Sequence, residues 1–170
     1  MSVHNRNIIY AVLCHRHKRG ERMTKDILIS ISGLQVSPEN ESDTVEVISP
    51  GEYYYRNDKH FVVYEEATDG QTQTVKNMVK ISDECVEVTK KGPASIHMIF
   101  EKNKKNVTYY YTPFGNLQIG IDTRSINIEE DEDSIKVNVE YTLDINSQHA
   151  ADCNIAIEIR EKGNKGFKLI

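Results

Sequence analysis

Between residues 135 and 145 the chain alternates without a break. Ile135, Val137, Val139, Tyr141, Leu143 and Ile145 are apolar or aromatic, and Lys136, Asn138, Glu140, Thr142 and Asp144 between them are polar. Successive side chains of a β-strand point to opposite faces, so a period of two describes one long strand with a dry face and a wet face. A wet face belongs to an antiparallel sheet, because parallel sheets are usually covered on both sides. One strand cannot bury its own apolar face. Other strands must close around it, which makes this stretch the strongest constraint on the fold.

The remaining chain supplies those strands. Ile27, Ile29 and Ile31 mark a first one, and Gly33 at its end suggests a bulge or a close backbone approach. Residues 45–49 are strand-like, Pro50-Gly51 is expected to interrupt them, and 52–56 resume. Asn57-Asp58 makes a tight turn into 60–66. Segments 72–81, 85–90, 96–102 and 107–112 follow, separated by short polar turns, with Asp69-Gly70 as another turn signal. Pro113-Phe114-Gly115-Asn116 turns into Leu117, Ile119 and Ile121. The parity then slips before Ile126, which predicts a bulge near Thr123-Arg124-Ser125. After an acidic turn comes the long strand, then a turn at 146–149 and a last strand over 154–160. No amphipathic helical period exceeds two turns. Eight to ten short, mostly hairpin-linked strands read as an all-β fold, and a single closed antiparallel barrel best removes the exposed edges.

At 170 residues one domain is expected, with 38% hydrophobic and 28% charged residues arguing against a disordered chain. Residues 1–22 stand apart. They carry five basic side chains (Arg6, Arg16, Lys18, Arg19, Arg22) against Glu21, so +4 of a chain at −5, which leaves −9 on residues 23–170. Such a body is a poor partner for nucleic acid or an anionic membrane. The run 8–14 is too short for a membrane helix, and the basic block at 15–19 stands where a signal cleavage site would need small residues. Residues 1–22 are therefore read as an extra extension, either disordered or upstream of the true start at Met23. Arg19-Gly20-Glu21-Arg22 can be encoded by a purine-rich run resembling a ribosome-binding site. Residues 23–162 form the barrel domain and 163–170 a tail. Cys14, Cys85 and Cys153 are odd in number and scattered, which suits reduced thiols in a cytoplasmic protein.

No motif carries an obvious chemistry. The acidic run 129–133 lacks the alternate ligand spacing and glycine of a calcium loop. His60, His97 and His149 fall in three segments with no zinc-type spacing. Nucleophile-elbow, phosphate-loop and dinucleotide signatures are absent, so no catalytic residue, metal or cofactor is assigned. The bias that does stand out is nine tyrosines and no tryptophan. Tyr109, Tyr111 and Tyr141, with Tyr53 and Tyr55 less firmly phased, are the candidates for a barrel interior. There they would either line a pocket for a small apolar or amphipathic ligand or fill the core.

The residues Met23-Thr24-Lys25-Asp26-Ile27, Ser32-Gly33-Leu34-Gln35, Tyr64-Glu65-Glu66, Lys90-Lys91-Gly92 and above all Tyr111-Thr112-Pro113-Phe114-Gly115-Asn116-Leu117 resemble the YwiB-like family of small bacterial proteins, over about residues 23 to 160. That resemblance implies a calycin-type, lipocalin-like antiparallel barrel and brings no catalytic residue with it. Two functions follow as expectations. One is a non-enzymatic carrier of a small amphipathic ligand inside the barrel. The other is a filled barrel acting as a structural or protein-interaction module, which leaves room for a homodimer.

Overall fold

A computed structural model describes residues 25–33, 46–67, 74–92 and 95–163. The 1–22 extension, the Asp69-Gly70 turn and residues 164–170 lie outside the described residues. Among the described residues ten strands run in order: β1 (Asp26–Ser32), β2 (Glu46–Arg56), β3 (Lys59–Ala67), β4 (Thr74–Ser82), β5 (Cys85–Lys91), β6 (Ile96–Glu101), β7 (Lys105–Thr112), β8 (Gly115–Glu130), β9 (Ser134–Ile145) and β10 (Gln148–Glu161). All pairs are antiparallel. The sheet order is β6-β5-β4-β3-β2-β1-β10-β9-β8-β7, so its two end strands are consecutive in the chain. The sheet curls into a nearly closed barrel with its seam between β6 and β7.

Local chemistry sets the joints. Asn57 and Asp58 (φ 52° and 57°) and Asn146 and Ser147 (φ 49° and 66°) sit in left-handed conformation at both central positions of two-residue turns. That twist matches the flanking strands of a hairpin, and Asn tolerates it better than most residues. Gly33 (φ 84°) ends β1 against the β10 backbone, where a Cβ would lie 2.0 Å from the Asn154 carbonyl oxygen. The close approach expected from its position is present. The register of β8 against β9 shifts between Thr123 and Ser125, at the parity slip.

Pro50-Gly51 behaves differently from expectation. β2 runs through it without interruption, because residues 46–52 pair with β1 while pairing with β3 begins only at Gly51. Pro50 therefore stands where β2 has no β3 partner to lose, an edge-like place within a sheet that suits proline. Gly51 has no room for a side chain, since a Cβ would meet the Val63 carbonyl oxygen at 2.8 Å.

Alternation delivers one face of each strand to a single core. It includes Ile27, Ile29, Val62, Val79, Val86, Val88, Phe100, Ile119, Val137, Val139, Tyr141 and Ile157. Phe100 of β6 meets Tyr141 of β9 edge to face, with centroids 5.0 Å apart. These strands are not sheet neighbours, so the contact joins the two sides of the seam on the inner face, near the turn at 102–104 whose Asn103 bonds Thr123, the cross-strand partner of Tyr141.

Candidate functional site

The seam is the feature that the hairpin rule does not explain. Lys102, Asn103 (φ 60°) and Lys104 make an ordinary tight turn between β6 and β7, with Lys104 N donating to Glu101 O at 3.1 Å. The two strands that it joins nevertheless form no ladder with each other. The turn itself shows why. Asn103 N donates to Thr123 O at 2.9 Å, and Thr123 N donates to Lys104 O at 3.1 Å. The turn is thus stitched to β8 at its bulge, and β7 leaves the turn laddered to β8 instead of β6. Lys102 N also donates to Glu84 O, which fixes the turn to the β4–β5 corner. The seam is closed at this end and splays open toward the other.

The opening is a cleft of about 640 Å³. Ile96 and His97 on one side and Val107, Thr108, Tyr109 and Tyr111 on the other line it, with Lys90 and Lys91 at the β5 end. That volume lies in the range of ordinary ligand clefts. Lys90 pairs with Glu66 at 3.6 Å. Glu66 in turn interacts with the hydroxyl of buried Tyr64, whose pKa burial and this carboxylate raise well above the usual phenol range. Asn77, the cross-strand partner of both Tyr64 and Lys90, has a buried Oδ1 without a hydrogen-bond partner among the described residues. Below, His97 Nε2 lies 3.1 Å from Glu87, whose carboxyl is held below its usual range by Lys80 first and then by His97.

The tyrosines chosen from the sequence separate into three groups. Tyr141 is buried on the inner face, where its Oη has no hydrogen-bond partner among the described residues. Its neighbour Cys153 lies close enough to couple electrostatically without forming a well-shaped hydrogen bond, and burial raises both groups' pKa. Thr123, across from Tyr141 on β8, also has a buried, unpartnered hydroxyl. Tyr53 is buried on β2. It meets His60 Nδ1 at 2.9 Å, and His60 Nε2 meets Glu130 at 3.1 Å. Tyr55 packs its edge on His60, with centroids 4.9 Å apart. This cluster joins β2 and β3 to the far end of β8 near the 57–58 turn.

Tyr109 and Tyr111 correct the sequence expectation. They stand on the outer face, 51% and 57% exposed, and Tyr110 between them packs on the core. β7 offers tyrosine, valine and threonine to both faces, so alternation alone did not decide which face turns inward. Both residues line the seam cleft instead of a barrel shaft. No local sequence signal marks the seam, because alternation reports which face of a strand is dry and not whether its edge finds a second partner. His60, His97 and His149 remain apart, each beside a different carboxylate. Among the described residues no group of three or more His, Cys, Asp or Glu could hold a metal ion. No helix among them is long and apolar enough to cross a membrane.

Comparison with known proteins agrees with this architecture. The uncharacterized β-barrel protein YwiB of Bacillus subtilis (strain 168) is 24% identical over 122 residues, covering 72% of this chain and 84% of that protein. The crystal structure of the ywiB protein from Bacillus subtilis superposes with a TM-score of 0.66 at 23% identity, covering 81% of this chain and 92% of that one. The model of the domain of unknown function DUF1934 matches residues 29–157, and the chain belongs to that family of β-barrel proteins.

Proposed function

We propose that this protein is a non-enzymatic binding module that works through the β6–β7 seam. The observation that carries this reading is the contrast between a buried inner face and an open seam. Phe100 packs on Tyr141 on the buried inner face, while Val107, Tyr109 and Tyr111 remain exposed beside strand edges unpaired among the described residues. Exposed aromatic and aliphatic side chains grouped at a cleft mark a binding surface more often than chance exposure does. The thiols of Cys85 and Cys153 are both pushed up by burial, the opposite of what a nucleophilic cysteine needs. Their unbridged state suits a cytoplasmic protein.

A second reading rests on the unpartnered Tyr141 Oη and Thr123 Oγ1. Buried polar groups normally have partners, so a small amphipathic ligand entering by the seam could supply one to them. A homodimer through the β7 edge would use the same surface from outside.

The test is titration of the full chain with an environment-sensitive anionic apolar dye, followed by amide chemical shifts. Stoichiometric binding that shifts residues 96–97 and 107–111, and that is lost in Tyr109→Ser/Tyr111→Ser, supports the seam. Shifts confined to the surroundings of Tyr141, or a co-purified ligand seen by native mass spectrometry, would move the site to the interior. No binding at all would remove the seam as a binding surface.

A further inference from the structure

We infer that the seam is a docking site for an extended polypeptide segment with acidic character, which adds as an eleventh strand between β6 and β7. This rests on the seam reading above and names its partner. Three observations point to a polypeptide instead of a compact small molecule. First, among the described residues β6 pairs only with β5, and β7 only with β8, so two rows of backbone N–H and C=O groups face a common gap. Backbone polar groups demand partners, and a sheet edge is the template for another strand. Second, the lining of β7 runs from Val107 to Tyr111, roughly 13 Å at about 3.3 Å per residue, the length of a short strand. Third, the side chains beside that row alternate as a strand would read them. Val107, Tyr109 and Tyr111 present an apolar outer lip, and Thr108 lies between on the inner side.

Charge chooses the kind of segment. The chain carries a formal −5, and of the cleft's basic residues Lys90 pairs with Glu66 and His97 with Glu87, which leaves Lys91 as the lining cation without an ion pair among the described residues, with no carboxylate in the lining beside it. A local basic site on an acidic body attracts acidic side chains or a free C-terminal carboxylate and repels basic segments. Because β6 and β7 run in opposite directions, the guest strand lies antiparallel to one and parallel to the other. Its backbone bonds supply affinity, and alternate side chains meet the Tyr109–Tyr111 lip.

The experiment is selection of a phage-displayed library of random heptapeptides on the full chain, followed by synthesis of the enriched sequence. The expected winner alternates apolar and polar residues, carries acidic groups near one end and slows amide exchange on both β6 and β7. N-methylation of its alternate backbone nitrogens should weaken binding more than tenfold, and Lys91→Glu should weaken it several-fold. Overturning results are a library that enriches nothing, a winner indifferent to N-methylation, or protection only on elements away from the seam. Self-association through the β7 edge that excludes every peptide would also overturn it. The dye titration separates the two levels. Dye bound at the seam with no peptide enrichment removes the strand guest alone, and loss of both removes the seam.

Discussion

Two hairpins next to each other in the chain end in different states. β8 and β9 pair from Ile119↔Ile145 to Glu130↔Ile135, through a bulge and around a three-residue turn. β6 and β7 share a turn that is just as tight and pair with each other nowhere along their length. The difference lies in the faces and in what holds each turn. β9 alternates cleanly, so burial of one face fixes its register, and a slip would move Val137, Val139 and Tyr141 into water. β7 has useful side chains on both faces, so burial fixes its register weakly, and the 102–104 turn is bonded to β8 instead. A turn therefore makes a hairpin only when the strands beyond it have more to gain from each other than from their other neighbours.

Mutations on each side should show this contrast. The largest effect should come from Tyr141→Ala, which removes a side chain packed on Phe100 and should cost about 3–5 kcal/mol in denaturant unfolding. Tyr141→Phe should cost close to nothing, since the hydroxyl that it removes has no hydrogen-bond partner among the described residues. A large loss in Tyr141→Phe would show that the hydroxyl is satisfied in solution, which would strengthen the interior-ligand reading.

Next comes a matched pair. Val139→Asp places a carboxylate on the fully buried face of β9 and should cost on the order of 3 kcal/mol. Val107→Asp, on the exposed lip of β7, should cost under about 0.5 kcal/mol. Equal losses would mean that the seam is closed over Val107.

A smaller effect depends on pH. Lys80 and His97 hold the Glu87 carboxyl below its usual range, and through it they tie β4 and β6 to β5. A depressed folded-state value contributes stability above the unfolded value, here 4.5, and loses it as the pH falls through the folded value. Glu87→Gln should therefore be less stable than the parent at pH 7, with the gap narrowing below pH 4.5. A gap that persists unchanged at pH 3 would assign the loss to packing.

The smallest effect on stability should belong to Tyr109→Ser/Tyr111→Ser, within about 0.5 kcal/mol, because both side chains are half exposed. Loss of dye binding without loss of stability is the combination expected of a binding lip.

The legible parts of this fold were those where one face is wet. The β9 alternation, the parity slip at Thr123-Arg124-Ser125 and the Asn57-Asp58 turn each appear where the sequence places them. The site was less legible for a physical reason. Period two gives a strand two faces without saying which is inner, and in β7 both Tyr110 and the Tyr109/Tyr111 pair fit burial equally well. The His60–Glu130 contact spans 70 residues of sequence and depends on the curl of β8 after its bulge, which no local pattern encodes. Pro50-Gly51 reads as a break because proline lacks a donor, and only the change of partner between β1 and β3 makes that loss harmless.

Amide hydrogen exchange on the full chain, resolved residue by residue, tests the unladdered seam most directly. Exchange reports local opening, so amides held in a ladder should match the core and unpaired edge amides should not. In β9, amides from Val137 to Leu143 should exchange only with global unfolding. In β6 and β7, every second amide should exchange orders of magnitude faster, with the fast set facing the seam across 96–100 and 107–111. Uniform core-level protection through both strands would show that β6 and β7 ladder with each other in solution, and it would contradict an open seam.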